Sequence, residues 1–250
     1  MFKIPYRRHQ FFLGVFSAVL AFDAATAEVD KAYRHAVEDA AFAEESEISN
    51  NLIPISKDNP NLVWNEDKSK ILVATWKAQG AYERFLKPYD KTSDNPEYAV
   101  WVTTAPQVKN LCSEFAAAKP KIAKDAVDLR LKQYLGLASQ WQYDVFVEMW
   151  VAPADLFRPC VDPQTDDKTC GRDFAGQPPS VEKIADYRAF YRDLYFKSFR
   201  NSAGVPWTGL GYTYDWGNKK SEVGASEFIM KPESHYEIKA VTPTLEYCRT

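Results

Sequence analysis

The chain has 250 residues, a formal net charge of −3, 46% hydrophobic and 26% charged residues, and only 10 glycines. This is ordinary globular composition, which excludes collagen-like repeats, low-complexity disorder and a polytopic membrane protein. The length suits one large domain or two small ones with a self-sufficient core, but composition by itself points to no reaction.

Lys3, Arg7 and Arg8 form a positive n-region, Phe11 to Phe22 an apolar run broken by Gly14 and Ser17, and Ala25-Thr26-Ala27 a small-x-small cleavage site. The pattern predicts a secretory signal peptide over residues 1–27. An uncleaved anchor would need about 20 apolar residues, and Asp23 ends the run short of that. Cleavage removes Lys3, Arg7, Arg8 and Asp23 and leaves a mildly acidic chain. That chain has no basic run and no aromatic-interleaved basic patch, so nucleic acid is not an expected partner. Stable membrane insertion is not expected after cleavage, and the expected location is extracytoplasmic, either periplasmic or secreted.

Residues 28–61 read as a helical or loosely ordered leader. Val29, Ala32, Tyr33, Ala36, Val37, Ala40 and Ala41 recur at helical spacing, before Asn50-Asn51, Pro54 and Asp58-Asn59-Pro60 break the pattern. A single domain is expected over 62–250. Lys70 to Trp76 and Tyr98 to Thr104 alternate as strands with apolar residues on both sides, which places them centrally, and Lys87 to Pro96 is a surface connection. Thr104-Ala105-Pro106 predicts a capped helix start, with Val108, Leu111, Cys112 and Phe115 on one face up to Lys119-Pro120. A second helix over 123–135 meets Gly136 as its C-terminal cap.

Tyr143 to Ala152 is a further strand, followed by a long irregular segment, Pro153 to Pro179, of the length that suits a lid or binding loop. A third helix over 180–200 carries Tyr187, Phe190, Tyr191, Tyr195, Phe196 and Phe199, enough rings to predict burial on more than one side. Thr208 to Trp216, Glu222 to Met230 and His235 to Val241 then predict three strands forming an antiparallel meander. The fold class is α+β: a largely antiparallel sheet of about six or seven strands covered by about three helices.

The four cysteines all follow the cleavage site, and an even number in an exported chain reads as disulfides. Sequence alone does not dictate the pairing. Cys160 with Cys170 is expected, because the proline- and aspartate-rich segment between them is a polar loop that a short bridge would pin. Cys112 with Cys248 follows by elimination. No metal site is expected, since the cysteines lack paired-knuckle spacing and only His35 and His235 remain in the mature chain. Asp162, Asp166 and Asp167 do not match a calcium loop and read as a solvated acidic turn.

Three carboxylates stand in apolar settings: Glu148 between Val147 and Met149, Asp215 within Tyr212–Trp216, and Glu227 beside Phe228. Desolvation there would raise their pKa values, as a general acid requires, and a pair of them could act as in glycosidases. The alternative for each is an arginine partner such as Arg158. Trp207, Tyr212, Tyr214 and Trp216, interleaved with glycines, could line a ligand cleft or simply fill the core. No cofactor motif and no nucleophile elbow is present. The leading expectation is therefore a ligand-binding or interaction module for a small molecule, glycan or protein, with Trp207, Tyr212, Tyr214, Trp216 and Arg158 as ligand contacts. The alternative is a secreted hydrolase, with carbohydrate as the candidate substrate, using Glu148 with Asp215 or Glu227.

Overall fold

The structure, a computed structural model, describes residues 14–119, 121–177, 179–200 and 204–249, with side chains from residue 26 onward. The n-region at Lys3, Arg7 and Arg8 and the start of the apolar run lie outside the described residues. Helix α1 (Gly14–Ala40) runs through Ala25-Thr26-Ala27, where cleavage is expected. Among the described residues no helix is long and apolar enough to cross a membrane.

Strands β1 (Ile71–Lys77), β2 (Val100–Thr104), β3 (Val145–Val151), β4 (Leu156–Phe157), β5 (Tyr212–Tyr214), β6 (Val223–Met230) and β7 (Tyr236–Pro243) form one sheet curled into a half-barrel. The order is β4-β6-β2-β1-β3-β7, with β5 also on β6, and all pairings are antiparallel. The α+β class and the strand number match the expectation from sequence. The helices do not: besides α1 there are α2 (Gln79–Phe85), α3 (Ala105–Ala117), α4 (Lys124–Tyr134), α5 (Tyr187–Arg200) and α6 (Thr244–Tyr247), six among the described residues rather than three. Helix α2 buries none of its residues and α6 is a single turn, so neither carries the apolar stripe by which a helix is read.

Because β1 and β3 are apolar on both sides, the sheet is covered on both faces. On one face Ile71, Val73, Val102, Val147, Met149 and Phe228 pack under Ile55, Leu62 and Leu86. On the other, Leu72, Ala74, Trp76 and Phe146 meet Val108 and Cys112 of α3 and Val127 and Leu131 of α4. Cys112 is bonded to Cys248, just past α6, and Cys160 to Cys170, both as expected. Residues upstream of Leu62 share in this packing. Tyr33, Ala36 and Ala40 of α1 lie against Tyr214 and Trp216, and the backbone amides of Leu52 and Ile55 donate to the carbonyls of Lys168 and Thr165.

Three local expectations need correction. The last three strands form no meander: β5 and β6 pair, but β7 crosses to β3 on the far side of the sheet. The flanks of β6 are taken by β2 and β4, whereas β3, apolar on both faces, needs a second neighbour beyond β1. The third helix starts at Tyr187 rather than Ser180, and the Asp186 carboxylate accepts from the Ala189 amide. Nor is it buried all round: Phe196 is 61% exposed, and Tyr187 alone among its residues is buried. Other rings pack edge-on or tilted along one side instead, with Tyr191 against Phe174 and Trp207, and Tyr195 against Phe199. Finally, the Thr104 hydroxyl makes no cap bond to α3 and has no partner.

Candidate functional site

Register across the sheet places two of the three carboxylates. Glu148 on β3 is opposite Ala74 on β1, Ala74 is opposite Thr103 on β2, and Thr103 is opposite Glu227 on β6. All four lie in one row on the helix-covered face. Three strand spacings separate the two acids, about 14 Å between Cα atoms. Between them stand a methyl group and a threonine, too small to fill the space that the aromatic residues of the adjoining row leave open. In that row Trp76 is opposite Phe146 and stacks on it at 5.5 Å.

The space above Ala74 and Thr103 is a cavity of about 410 Å³. Its walls come from several directions: Trp76 and Trp101 from the sheet, Leu135, Leu137, Trp141 and Tyr143 from the segment after α4, and Leu194 and Ser198 from α5, with Pro206 and Trp207 beside them. Gly136, with φ +66°, ends α4 in the left-handed region, as its cap reading required, and so turns Leu135 and Leu137 into the wall. Lys197, on the rim, pairs with Asp193 and with Glu97, each at 3.0 Å, which ties α5 to the segment preceding β2.

Two residues that line this cavity each carry a polar atom without a protein partner. The Glu227 Oε1 and the Trp207 Nε1 are both buried without a hydrogen bond. Burial pushes the Glu227 carboxyl from its ordinary 4.5 up to about 8, against the opposing pull of the Arg158 guanidinium. Glu227 is the one acid among the described lining residues, and at neutral pH it is mostly a protonated carboxyl with a hydrogen to donate. Buried polar atoms without partners are rare in folded proteins, and a ligand or water that completes them is one of the few physical reasons to keep them.

A raised native pKa links Glu227 to stability. Between about pH 4.5 and 8 the native state holds a proton that the unfolded state has released, so this contribution is complete below 4.5 and is lost as pH rises through 8. Unfolding free energy of the wild type is expected to fall across that window by at most about 4–5 kcal/mol relative to Glu227→Gln. Urea titrations of both proteins from pH 4 to 9 measure it, and parallel profiles would refute it.

The other sequence-derived candidates lie elsewhere. Asp215 is 2% exposed, and its two oxygens accept from Arg130 of α4 at 2.8 and 2.7 Å. Glu148 is buried on the row just described, three strands from Glu227. Glycosidase pairs are defined by carboxyl groups about 5–9.5 Å apart, whereas the strand count fixes only the backbone separation of these two acids. Arg158 is fully buried and organises the stapled loop, donating to the carbonyls of Gln164, Asp167 and Ile53 while lying over the Phe228 ring. Of the four aromatic residues expected to contact ligand, Trp207 lines the cavity. Tyr212 donates to the Glu47 carbonyl and Tyr214 to the Asp39 carboxylate, both within the N-terminal segment, and Trp216 donates to the Leu137 carbonyl after α4. Sequence reasoning missed Ala74, Thr103, Trp101 and Trp141. Alternation put Ala74, Thr103 and Trp101 on definite strand sides, but no sequence signal separates a cavity wall from a core position. Among the described residues no cluster of His, Cys, Asp or Glu is arranged to hold a metal ion.

Comparison of the chain with protein-family models, with curated proteins and with solved structures finds no match to any of them.

Proposed function

We propose that this protein is an exported ligand-binding module whose cavity takes a small, mostly apolar molecule with one hydrogen-bond-accepting oxygen. The observation that carries the reading is the pair of partnerless polar groups, the Glu227 carboxyl and the Trp207 indole, in one aromatic-walled cavity. Its volume falls within the range of about 300–1,000 Å³ typical of small-molecule sites, and apolar walls with few polar fixtures are the usual composition. An indole N–H only donates, and a protonated carboxyl has a hydrogen to give. A ketone or amide oxygen accepts from either group. A glycan would press many hydroxyls against walls unable to bond them. The carboxylate-pair hydrolase is the weaker alternative, since Asp215 is taken up by Arg130 and Glu148 stands three strands away. The two disulfides suit an oxidising compartment, and the signal peptide and export belong to this same proposal.

The test is a panel of aromatic and bicyclic ketones, each beside its hydrocarbon and its amine analogue, titrated by protein-observed NMR. Ketones are expected to bind best and to shift the indole resonances of Trp207 and Trp141. Affinity should fall as pH passes through about 8, where Glu227 loses its hydrogen. Thr103→Leu, which fills the cavity floor, should weaken binding by roughly tenfold or more without lowering thermal stability, since a buried methylene gains about 0.8 kcal/mol where space allows. If no ketone outbinds its hydrocarbon, or Thr103→Leu binds like wild type, the reading is wrong.

A further inference from the structure

A second cavity, about 670 Å³, opens on the opposite face of the sheet, between α2 and the connection that leads to β2. Strand alternation turns the Lys77 side chain to that face, with Ile71 and Val73, and Leu86, Val100 and Tyr236 form the inner wall. The outer wall is aromatic and open to solvent: Phe85 is 62% exposed, Tyr89 59% and Tyr98 70%. These are three of the few large apolar side chains exposed on the described surface, and they surround one groove. Scattered exposed rings are unremarkable, whereas a contiguous patch marks a binding surface.

We propose that this groove is a binding site for an amphipathic organic carboxylate, with the acid group paired to Lys77 and the apolar tail against Phe85, Tyr89 and Tyr98. Charge complementarity carries the choice of occupant. Of the other charged groups in the groove, Lys91 pairs with Glu233 at 3.3 Å, and Asp94 accepts from the Ser93 hydroxyl. Lys77 has no ion-pair or hydrogen-bond partner for its ammonium among the described residues. Burial alone holds it below the ordinary lysine range, with no carboxylate offsetting the effect. The Thr92 and Tyr236 hydroxyls are already committed to the Lys231 and Leu86 carbonyls, which leaves the ammonium as the cation of the groove open to an acid, with the Tyr89 and Tyr98 hydroxyls at the outer wall. A carboxylate there restores the missing counter-charge, and a tail covers rings that now face water. Lys77, at the end of β1, borders the Glu227 cavity as well, but its side chain is on the face of this groove by strand alternation, and the Glu227 cavity lies across the sheet.

Decanoate and decanol are the probes, titrated by calorimetry and NMR into the intact protein, Lys77→Met, and the double variant Phe85→Ser, Tyr89→Ser. Decanoate is expected to bind with one-to-one stoichiometry, to bind at least tenfold better than decanol, and to raise the Lys77 pKa followed through its side-chain resonances. Lys77→Met should lose that tenfold for decanoate and leave decanol unchanged. The double variant changes only exposed rings, so its fold is not at issue, and it should weaken both probes about fivefold. Decanoate binding that is absent, indifferent to Lys77→Met, or accompanied by shifts at Trp207 and Trp141 instead of Tyr89 and Tyr98 overturns the proposal.

Discussion

Replacing Arg130 with methionine is expected to lower the unfolding free energy by about 3–5 kcal/mol, the usual consequence of stranding one member of a buried ion pair. Asp215 is almost wholly inaccessible, and both of its oxygens depend on the Arg130 guanidinium, with one further bond to Oδ1 from the Gly217 amide. The pair fastens α4 to the turn after β5, so it also holds the segment after α4 that walls the Glu227 cavity. Removing the acid together with the base, as Arg130→Met with Asp215→Leu, should restore much of the loss, because the penalty arises from the unpaired charge more than from the missing attraction. Urea unfolding of the two single variants and the double variant measures the coupling. A double variant no more stable than Arg130→Met would show that Asp215 is not stranded in the way described.

The second large effect belongs to the long disulfide. Cys112–Cys248 spans 136 residues and Cys160–Cys170 only 10. Loop-closure entropy grows with the logarithm of that span, giving about 5 kcal/mol for the first and somewhat under 3 for the second. Total stabilities of folded domains run only to about 5–15 kcal/mol, so losing the long bridge is expected to remove a third or more of the whole. The bridge pins α6, where Tyr247 stacks on Phe146 of β3, against α3. Cys112→Ser with Cys248→Ser should therefore denature at markedly lower urea than Cys160→Ser with Cys170→Ser, both compared with wild type under oxidising conditions. The reverse order would mean that the long bridge stabilises less than its loop entropy allows, or that the short one, beside the Arg158 hydrogen bonds, holds structure that the entropic account omits.

Much of the sheet was legible because its signal is local. Val145 to Val151 alternates so regularly that strand, register parity and two-sided burial all follow from neighbouring residues. Helices α3 and α4 were legible for the same reason, and the disulfides followed from loop composition and elimination. Glu227 and Trp207 were found as unusual residues in apolar surroundings. Their meeting in one cavity was not, because 20 residues, a turn and a strand pairing separate them.

What the amino-acid sequence determined unaided is whatever depends on neighbours along the chain: the elements, their apolar faces, the oxidisable cysteines and the short list of acids in greasy settings. The tertiary structure alone decided which of those acids has a partner. Arg130 reaches Asp215 from 85 residues away, whereas the row Glu148, Ala74, Thr103, Glu227 draws on four strands. Burial energies of charges depend on what surrounds them in space, and strand order, which sets those surroundings, is a collective outcome of packing that no local window contains.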